Sequence, residues 1–286
     1  MVNHDCFAGG KGCYAGGFCF GTMRLEEQLK ALYASKWRKI GDSLQSVVCD
    51  EHAEVKPAYP FLLSLTRWED NQPTESWYTD ADLKVMVFGQ ETNSWTGDGD
   101  DFGTPPSPVF SPEVSIEAVM GIYEDFYATY YHEGTFSYNG TRYGTFHYGF
   151  NCFAALLNSV LPDKRIAYVW NNLVKIGKAK GKGFCGADIY ALERECFSVI
   201  QEEINILKPD LLLFLTGTYD ERIRDNWPDA QFSALFPYEV NEAAQVISSA
   251  LSMPAYRTNH PSARLSREEK DARLEAIVKD FMEKII

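Results

Sequence analysis

Three short apolar runs, separated by stretches of helical periodicity, constrain this chain most. Leu83-Lys84-Val85-Met86-Val87-Phe88 stops at Gly89. Arg165-Ile166-Ala167-Tyr168-Val169-Trp170 stops at Asn171-Asn172, and Asp210-Leu211-Leu212-Leu213-Phe214-Leu215 stops at Thr216-Gly217. Continuous β-branched and aliphatic runs of this length read as strands buried on both faces. A fourth, shorter strand is expected near Pro254 to Thr258. Between them the period changes to that of helices. Leu25, Leu29, Leu32, Tyr33, Trp37, Ile40 and Leu44 share one face, and Ser115 caps a helix carrying Ile116, Val119, Met120, Tyr123, Phe126 and Tyr127. Further helices are expected over Phe150 to Val160, from Asp188 to Leu207 with Pro209 as the stop, and over Arg267 to Ile285. Residues 131–149, rich in Tyr, Gly, Thr and His, read as an irregular insertion. Strands alternating with helices predict an α/β fold: a three-layer αβα arrangement around a short, mainly parallel four-stranded sheet.

Residues 23–286 read as one domain, and residues 1–22, Gly-rich with three cysteines, as a flexible extension. The length of 286 residues is ample for one large core. No apolar run is long enough to cross a bilayer and no secretory pattern is visible, so a cytoplasmic protein without membrane contact, and a monomer, is expected. The net charge of −13 argues against broad attraction to nucleic acid, although a local basic groove on an acidic body is compatible with it. The seven cysteines are odd in number and contain no C-x-x-C pair, which excludes zinc-ribbon and thioredoxin-like readings.

The polar residues that matter follow the strands. The first strand leads into Gln90-Glu91-Thr92-Asn93, the second into Asn171-Asn172-Leu173-Val174-Lys175, and the fourth into Asn259-His260-Pro261-Ser262-Ala263-Arg264. In a parallel sheet ligands bind beyond the carboxyl ends of the strands. These three loops would therefore bring one carboxylate, several amides and one imidazole to a single cavity.

These segments, in this order, resemble the motifs of the uracil-DNA glycosylase superfamily. Phe88-Gly89-Gln90-Glu91 is similar to the first motif, a strand followed by Gly-Gln-Asp-Pro-Tyr. His260-Pro261-Ser262-Ala263-Arg264 is similar to the last, His-Pro-Ser-Pro-Leu, with the Arg of the single-strand-selective branch. Phe214-Leu215-Thr216-Gly217 resembles the Leu-Leu-Trp-Gly strand between them. Asn172-Leu173-Val174-Lys175, Glu195-Cys196 and Lys208-Pro209 resemble the middle of the thermophile-type branch. The resemblance spans roughly residues 83–285.

It implies a DNA glycosylase that hydrolyses the N-glycosidic bond of uracil or a related damaged base. Glu91 stands where the classical enzymes have Asp and would stabilise the oxocarbenium-like sugar and orient water. His260 would donate to the leaving base as negative charge develops. Asn172, or Asn171 one residue earlier, would read the base edge, since one carboxamide can donate to a carbonyl and accept from a ring N–H. Gln90 and Asn93 fall at base-holding positions, and Phe102 or Phe110 would stack on the extruded base. Ser262 and Lys175, Lys178, Lys180 and Lys182 would meet phosphates, and Arg264 would enter the gap left in the DNA. Asn93 and Thr92 depart from the Tyr and Pro of the classical motif. The thermophile-type iron–sulfur cluster requires four thiolates; Cys196 matches one ligand, but Ile176 stands at another, so no metal and no cofactor are expected.

Two other readings use the same residues. A catalytically altered protein of this fold would bind a nucleobase or nucleic acid without cleaving it. An N-glycosidic hydrolase of a small nucleoside would need no DNA groove. Each residue also has a purely structural role open to it: a solvated carboxylate, a buried histidine beside proline, a turn-capping amide, a satellite-core phenylalanine.

Overall fold

The computed structural model describes residues 23–92, 109–138, 142–181 and 183–285. Asn93, Phe102, Lys182 and the extension 1–22 lie outside these. The described residues form a mixed α/β fold with eight helices and a six-stranded, mostly parallel central sheet.

Helix α1 (Leu25–Cys49) buries Leu29, Tyr33, Ile40 and Leu44 on the face its periodicity defines. Three short strands follow: β1 (Pro57–Pro60), then β2 (Arg67–Glu69) and β3 (Gln72–Thr74), which pair as a hairpin. The short α2 (Ser76–Thr79) leads into β4 (Leu83–Gly89), the first apolar run. Helix α3 (Ile116–Tyr130) starts at Ser115, whose hydroxyl accepts from the Ala118 amide. It runs into the hairpin β5 (Tyr131–His132) and β6 (Thr135–Phe136). Helix α4 (Phe146–Val160) is capped by Thr145, which accepts from the Tyr148 amide. Within the stretch expected to be irregular, residues 131–136 form a hairpin and residues 146–149 the first turn of a helix. The threonine cap and the buried aromatic cluster of Phe126, Phe136 and His147 fix it.

Strand β7 (Ile166–Asn172) leads into β8 (Ile176–Lys178), which pairs antiparallel with β1. The single helix expected after it is two, α5 (Ala187–Cys196) and α6 (Ile200–Leu207). The break falls where Phe197 and Val199 turn into the core, Phe197 against the Tyr33 ring. Then come β9 (Leu211–Leu215), α7 (Asp220–Asn226), β10 (Gln231–Ala234), β11 (Ala243–Ile247), β12 (Ala255–Thr258) and α8 (Arg267–Ile285).

The sheet order is β10-β11-β12-β9-β4-β7. The four strands expected from the sequence pair in parallel, and β10 and β11 extend the sheet antiparallel at one edge. Six strands replace the expected four because β10 is short and largely exposed and the five residues of β11 are broken by Gln245, so neither carries a continuous apolar run. The parallel strands are buried along nearly their whole length, as their composition requires. Helix α1 packs on α5 and α6, and α4 on α8.

From β4 the chain returns to the sheet at β7, on one side. From β9 it returns through α7 and the β10–β11 hairpin to β12, on the other. The loops leaving β4 and β9 therefore diverge, which makes the gap between these neighbours the topological switch point where an open α/β sheet accommodates a ligand.

Candidate active site

Four strand ends build one edge. Gly89, Gln90 and Glu91 leave β4, Asn172 ends β7, Thr216 and Gly217 leave β9, and Asn259 and His260 leave β12. They are stitched together across the sheet. Gln90 Nε2 donates to the Thr216 carbonyl at 2.8 Å, which bridges the switch point. The Gly217 amide donates to the Thr258 carbonyl at 3.0 Å. Gly217 has φ +59°, and a Cβ there would stand 3.2 Å from the His260 amide nitrogen, so both its turn and its neighbour require glycine. The carboxyl edge thus holds Glu91, Asn172 and His260 at the same end of the sheet.

The imidazole of His260 is fixed in one form. The Ser262 amide donates to Nδ1 at 3.1 Å, and the Ser262 hydroxyl lies 2.7 Å from the same nitrogen. A backbone N–H can only donate, so Nδ1 accepts and the ring proton sits on Nε2. Burial, reinforced by the nearby Lys270 ammonium, pulls the imidazole down to about 4, which keeps it neutral at pH 7. Lys270 itself, from α8, holds the loop by donating to the Pro261 carbonyl at 2.6 Å. The Ser262 hydroxyl is thus engaged with the imidazole and positions His260, instead of being free for the expected phosphate contact. Ser262 and Arg264 are both exposed.

Asn172 is buried beside Gly89, its partner in the β4–β7 ladder. A methyl group on Gly89 would lie 2.6 Å from Asn172 Oδ1 and 3.3 Å from the Phe146 ring, so only glycine admits this approach. Trp170 Nε1 donates to Oδ1 at 3.0 Å. An indole N–H cannot accept, which orients the carboxamide with its oxygen toward Trp170. Its Nδ2 is then buried with no hydrogen-bond partner among the described residues. Thr92 Oγ1, after β4, and Thr216 Oγ1, after β9, are likewise buried without a partner among the described residues. Buried polar atoms without partners are costly, and a group of them at one sheet edge marks where a polar ligand would be held.

Glu91 is partly buried, and Tyr219 Oη donates to its Oε2 at 2.7 Å. Burial raises the carboxyl above its ordinary value, opposed by the Tyr219 hydrogen bond and by the Lys178 and Arg222 charges. Lys178 is half-buried on β8, and Lys180 is exposed beyond it.

Three further sequence expectations change. Asn171 is not an alternative reader of a ligand. Its Nδ2 donates to Glu203 Oε2 at 2.9 Å and its Oδ1 accepts from Lys175 Nζ at 2.5 Å and from the Asn172 amide at 2.8 Å. Lys175 does not meet phosphates: it is buried, with Nζ 2.8 Å from Glu203 Oε1, itself held by Tyr33 Oη at 2.7 Å. A buried cation needs its anion at hand, and α6 supplies it. Phe110 is core: its ring packs on Trp37 and Tyr59, at 5.6 and 5.8 Å between centroids. Asn93 and Phe102 fall outside the described residues.

Phe146 and Tyr219 were not anticipated. Phe146, at the first position of α4, brings its ring beside Gly89 and the Asn172 carboxamide and packs on Trp170 at 5.3 Å. Thr145 as a helix cap was the signal that would have placed it there. Tyr219 follows the β9 turn and carried no signal of its own. Cys196 is buried on α5 near Ser43, and no group of three or more His, Cys, Asp or Glu able to hold a metal occurs among the described residues. No helix among them is long and apolar enough to cross a membrane.

Chemically, this edge offers a neutral N–H donor, a carboxylate held by a phenol, an amide N–H without a partner among the described residues and an aromatic ring beside it. No protein-family model matches the chain, and no curated protein does.

Proposed function

We propose that the chain is a DNA glycosylase-like hydrolase of the uracil-DNA glycosylase type, with a three-layer αβα core, acting on uracil or a related damaged base as a cytoplasmic monomer. One observation carries this reading: the unpartnered Asn172 amide at the same sheet edge as a neutral Nε2–H imidazole and a carboxylate. Asn172 Nδ2 donates to a base carbonyl, and the second lone pair of Oδ1 accepts a ring N–H. Phe146 covers a face of the base. As the glycosidic bond breaks, its electron pair goes to the base, and His260 Nε2–H donates to the carbonyl where that charge collects. Glu91 faces the cationic sugar carbon and orients the water whose hydroxyl adds there, and the water's proton passes by way of Glu91 to the anionic base, which leaves neutral.

A second reading has its own support. Lys175 is buried in an ion pair, which removes one cation from the phosphate groove of a chain with net charge −13. A small nucleoside as substrate needs no such groove.

The test uses single- and double-stranded oligonucleotides carrying uracil or hypoxanthine, and free deoxyuridine, followed by abasic-site or free-base release. Excision from oligonucleotide that falls about 10²- to 10³-fold in Glu91→Gln and in His260→Ala supports the first reading. Turnover of deoxyuridine alone supports the second. Undiminished cleavage by Glu91→Gln removes the role given to that carboxylate.

A further inference from the structure

We propose that Tyr219 is the positioning residue for Glu91: its phenol anchors one carboxylate oxygen, so that the other is the oxygen offered to the reacting centre. The inference rests on the catalytic role given to Glu91 above and explains how a residue one methylene longer than aspartate can serve there. A glutamate at a loop start has one more rotor to fix than an aspartate. The 2.7 Å contact from Tyr219 Oη to Oε2 fixes it with a charge-assisted hydrogen bond.

The geometry makes this contact a bridge between the two halves of the site. Glu91 leaves β4 and Tyr219 leaves β9, the two strands whose loops diverge at the switch point. Between them Gln90 grips the Thr216 carbonyl, and Gly217, with its positive φ, turns the chain beside His260. The same four-residue turn therefore borders the imidazole on one side and anchors the carboxylate on the other.

The other charged and titratable groups facing Glu91 act at longer range or are otherwise engaged. Arg222 of α7 pairs with Asp225 at 3.1 Å and lies over the rings of Tyr190 and Phe184, at 4.3 and 4.8 Å. Lys178 of β8 contributes through its charge. Cys185, before α5, is buried and its thiol is pushed up to about 12, so it faces Glu91 uncharged. Burial and the Glu91 charge push the Tyr219 phenol upward as well, so it remains a donor throughout the working pH range.

Tyr219→Phe removes the hydroxyl and keeps the ring. The direct readout is the titration of Glu91 by carboxyl ¹³C NMR, assigned by its loss in Glu91→Gln. Losing a donor to the ionised form moves the Glu91 titration to higher pH in the variant. With an excised substrate in hand, kcat falls about ten- to a hundredfold with KM within a factor of two, and the acidic limb of the kcat profile moves up with the carboxyl. Should Tyr219→Phe unfold, Tyr219→Met, which also lacks the hydroxyl, takes its place with the same expected upward shift, and an unchanged titration in it overturns the proposal equally. A Glu91 titration unchanged between wild type and Tyr219→Phe overturns the proposal. A shifted titration in a protein inactive on every substrate sustains the anchor and overturns the glycosylase reading instead. A shifted titration with kcat unchanged overturns the positioning role.

Discussion

His147 shows how far a single buried side chain can set the acid limit of this protein. Its ring is enclosed by Phe136, Trp170, Tyr138 and Phe126, with centroids at 4.8, 5.1, 5.3 and 5.4 Å, and Nε2 has no partner among the described residues. Burial depresses the imidazole to about 3. The native state therefore refuses a proton that the unfolded chain takes up below about pH 6.5. Stability is unaffected above that pH and declines from there down to about 3. Each unit is worth about 1.36 kcal/mol, so the loss between pH 7.5 and 4.5 is about 2–3 kcal/mol from this residue. His147→Phe is expected to shrink by about that amount the difference in urea-unfolding free energy between these two pH values. An equal pH dependence in wild type and variant contradicts the assignment. The position supports the site as well, since Phe146 and Trp170, its neighbours, flank Asn172.

At the scale of elements, the turn after β7 is tied to α6 by one buried ion pair. Lys175 and Glu203 are both out of solvent, and Tyr33 and Asn171 complete the coordination of the carboxylate. Asn171 in turn accepts from the Asn172 amide, so the network under the site helps set the backbone that carries Asn172. Removing one partner leaves a buried charge alone. Lys175→Met should cost about 3–5 kcal/mol in urea unfolding, and adding Glu203→Leu should recover most of it. A loss below about 1 kcal/mol in the single variant would mean that water reaches Glu203. The sequence made Lys175 look like the start of a basic surface loop. Its anion lies 28 residues on, in another helix, and no local pattern connects them.

For the whole molecule, charge decides what the site can hold. The chain carries −13, and of the described cations beside the site Lys270 is buried and Arg222 is paired with Asp225, while Arg264, in the loop after β12, is exposed. Binding to a single-stranded oligonucleotide should therefore weaken with salt with a log–log slope no steeper than about −2 to −3, as each phosphate contact contributes about −0.7 to −0.9. Fluorescence anisotropy between about 50 and 200 mM salt measures it. A slope of about −6 or steeper would require a basic groove elsewhere on the chain. A slope near zero with nucleoside binding intact would favour the small substrate.

The four parallel strands and the polar residues that follow them are legible in the amino-acid order alone. Runs such as Leu211–Leu215 are fully buried, and burial on both faces leaves a signature in composition. The same order also placed Glu91, Asn172 and His260 at strand ends, because strand direction in a parallel sheet fixes which end each loop occupies. Which neighbours those residues meet was set by the packing of distant segments. Tyr219 lies 128 residues from Glu91, and Glu203 lies 28 from Lys175. The antiparallel edge of β10 and β11 is likewise set by pairing partners and not by an apolar run. Contacts of that kind depend on how elements pack, and packing selects partners by shape and charge across space, which a local reading of the chain does not encode.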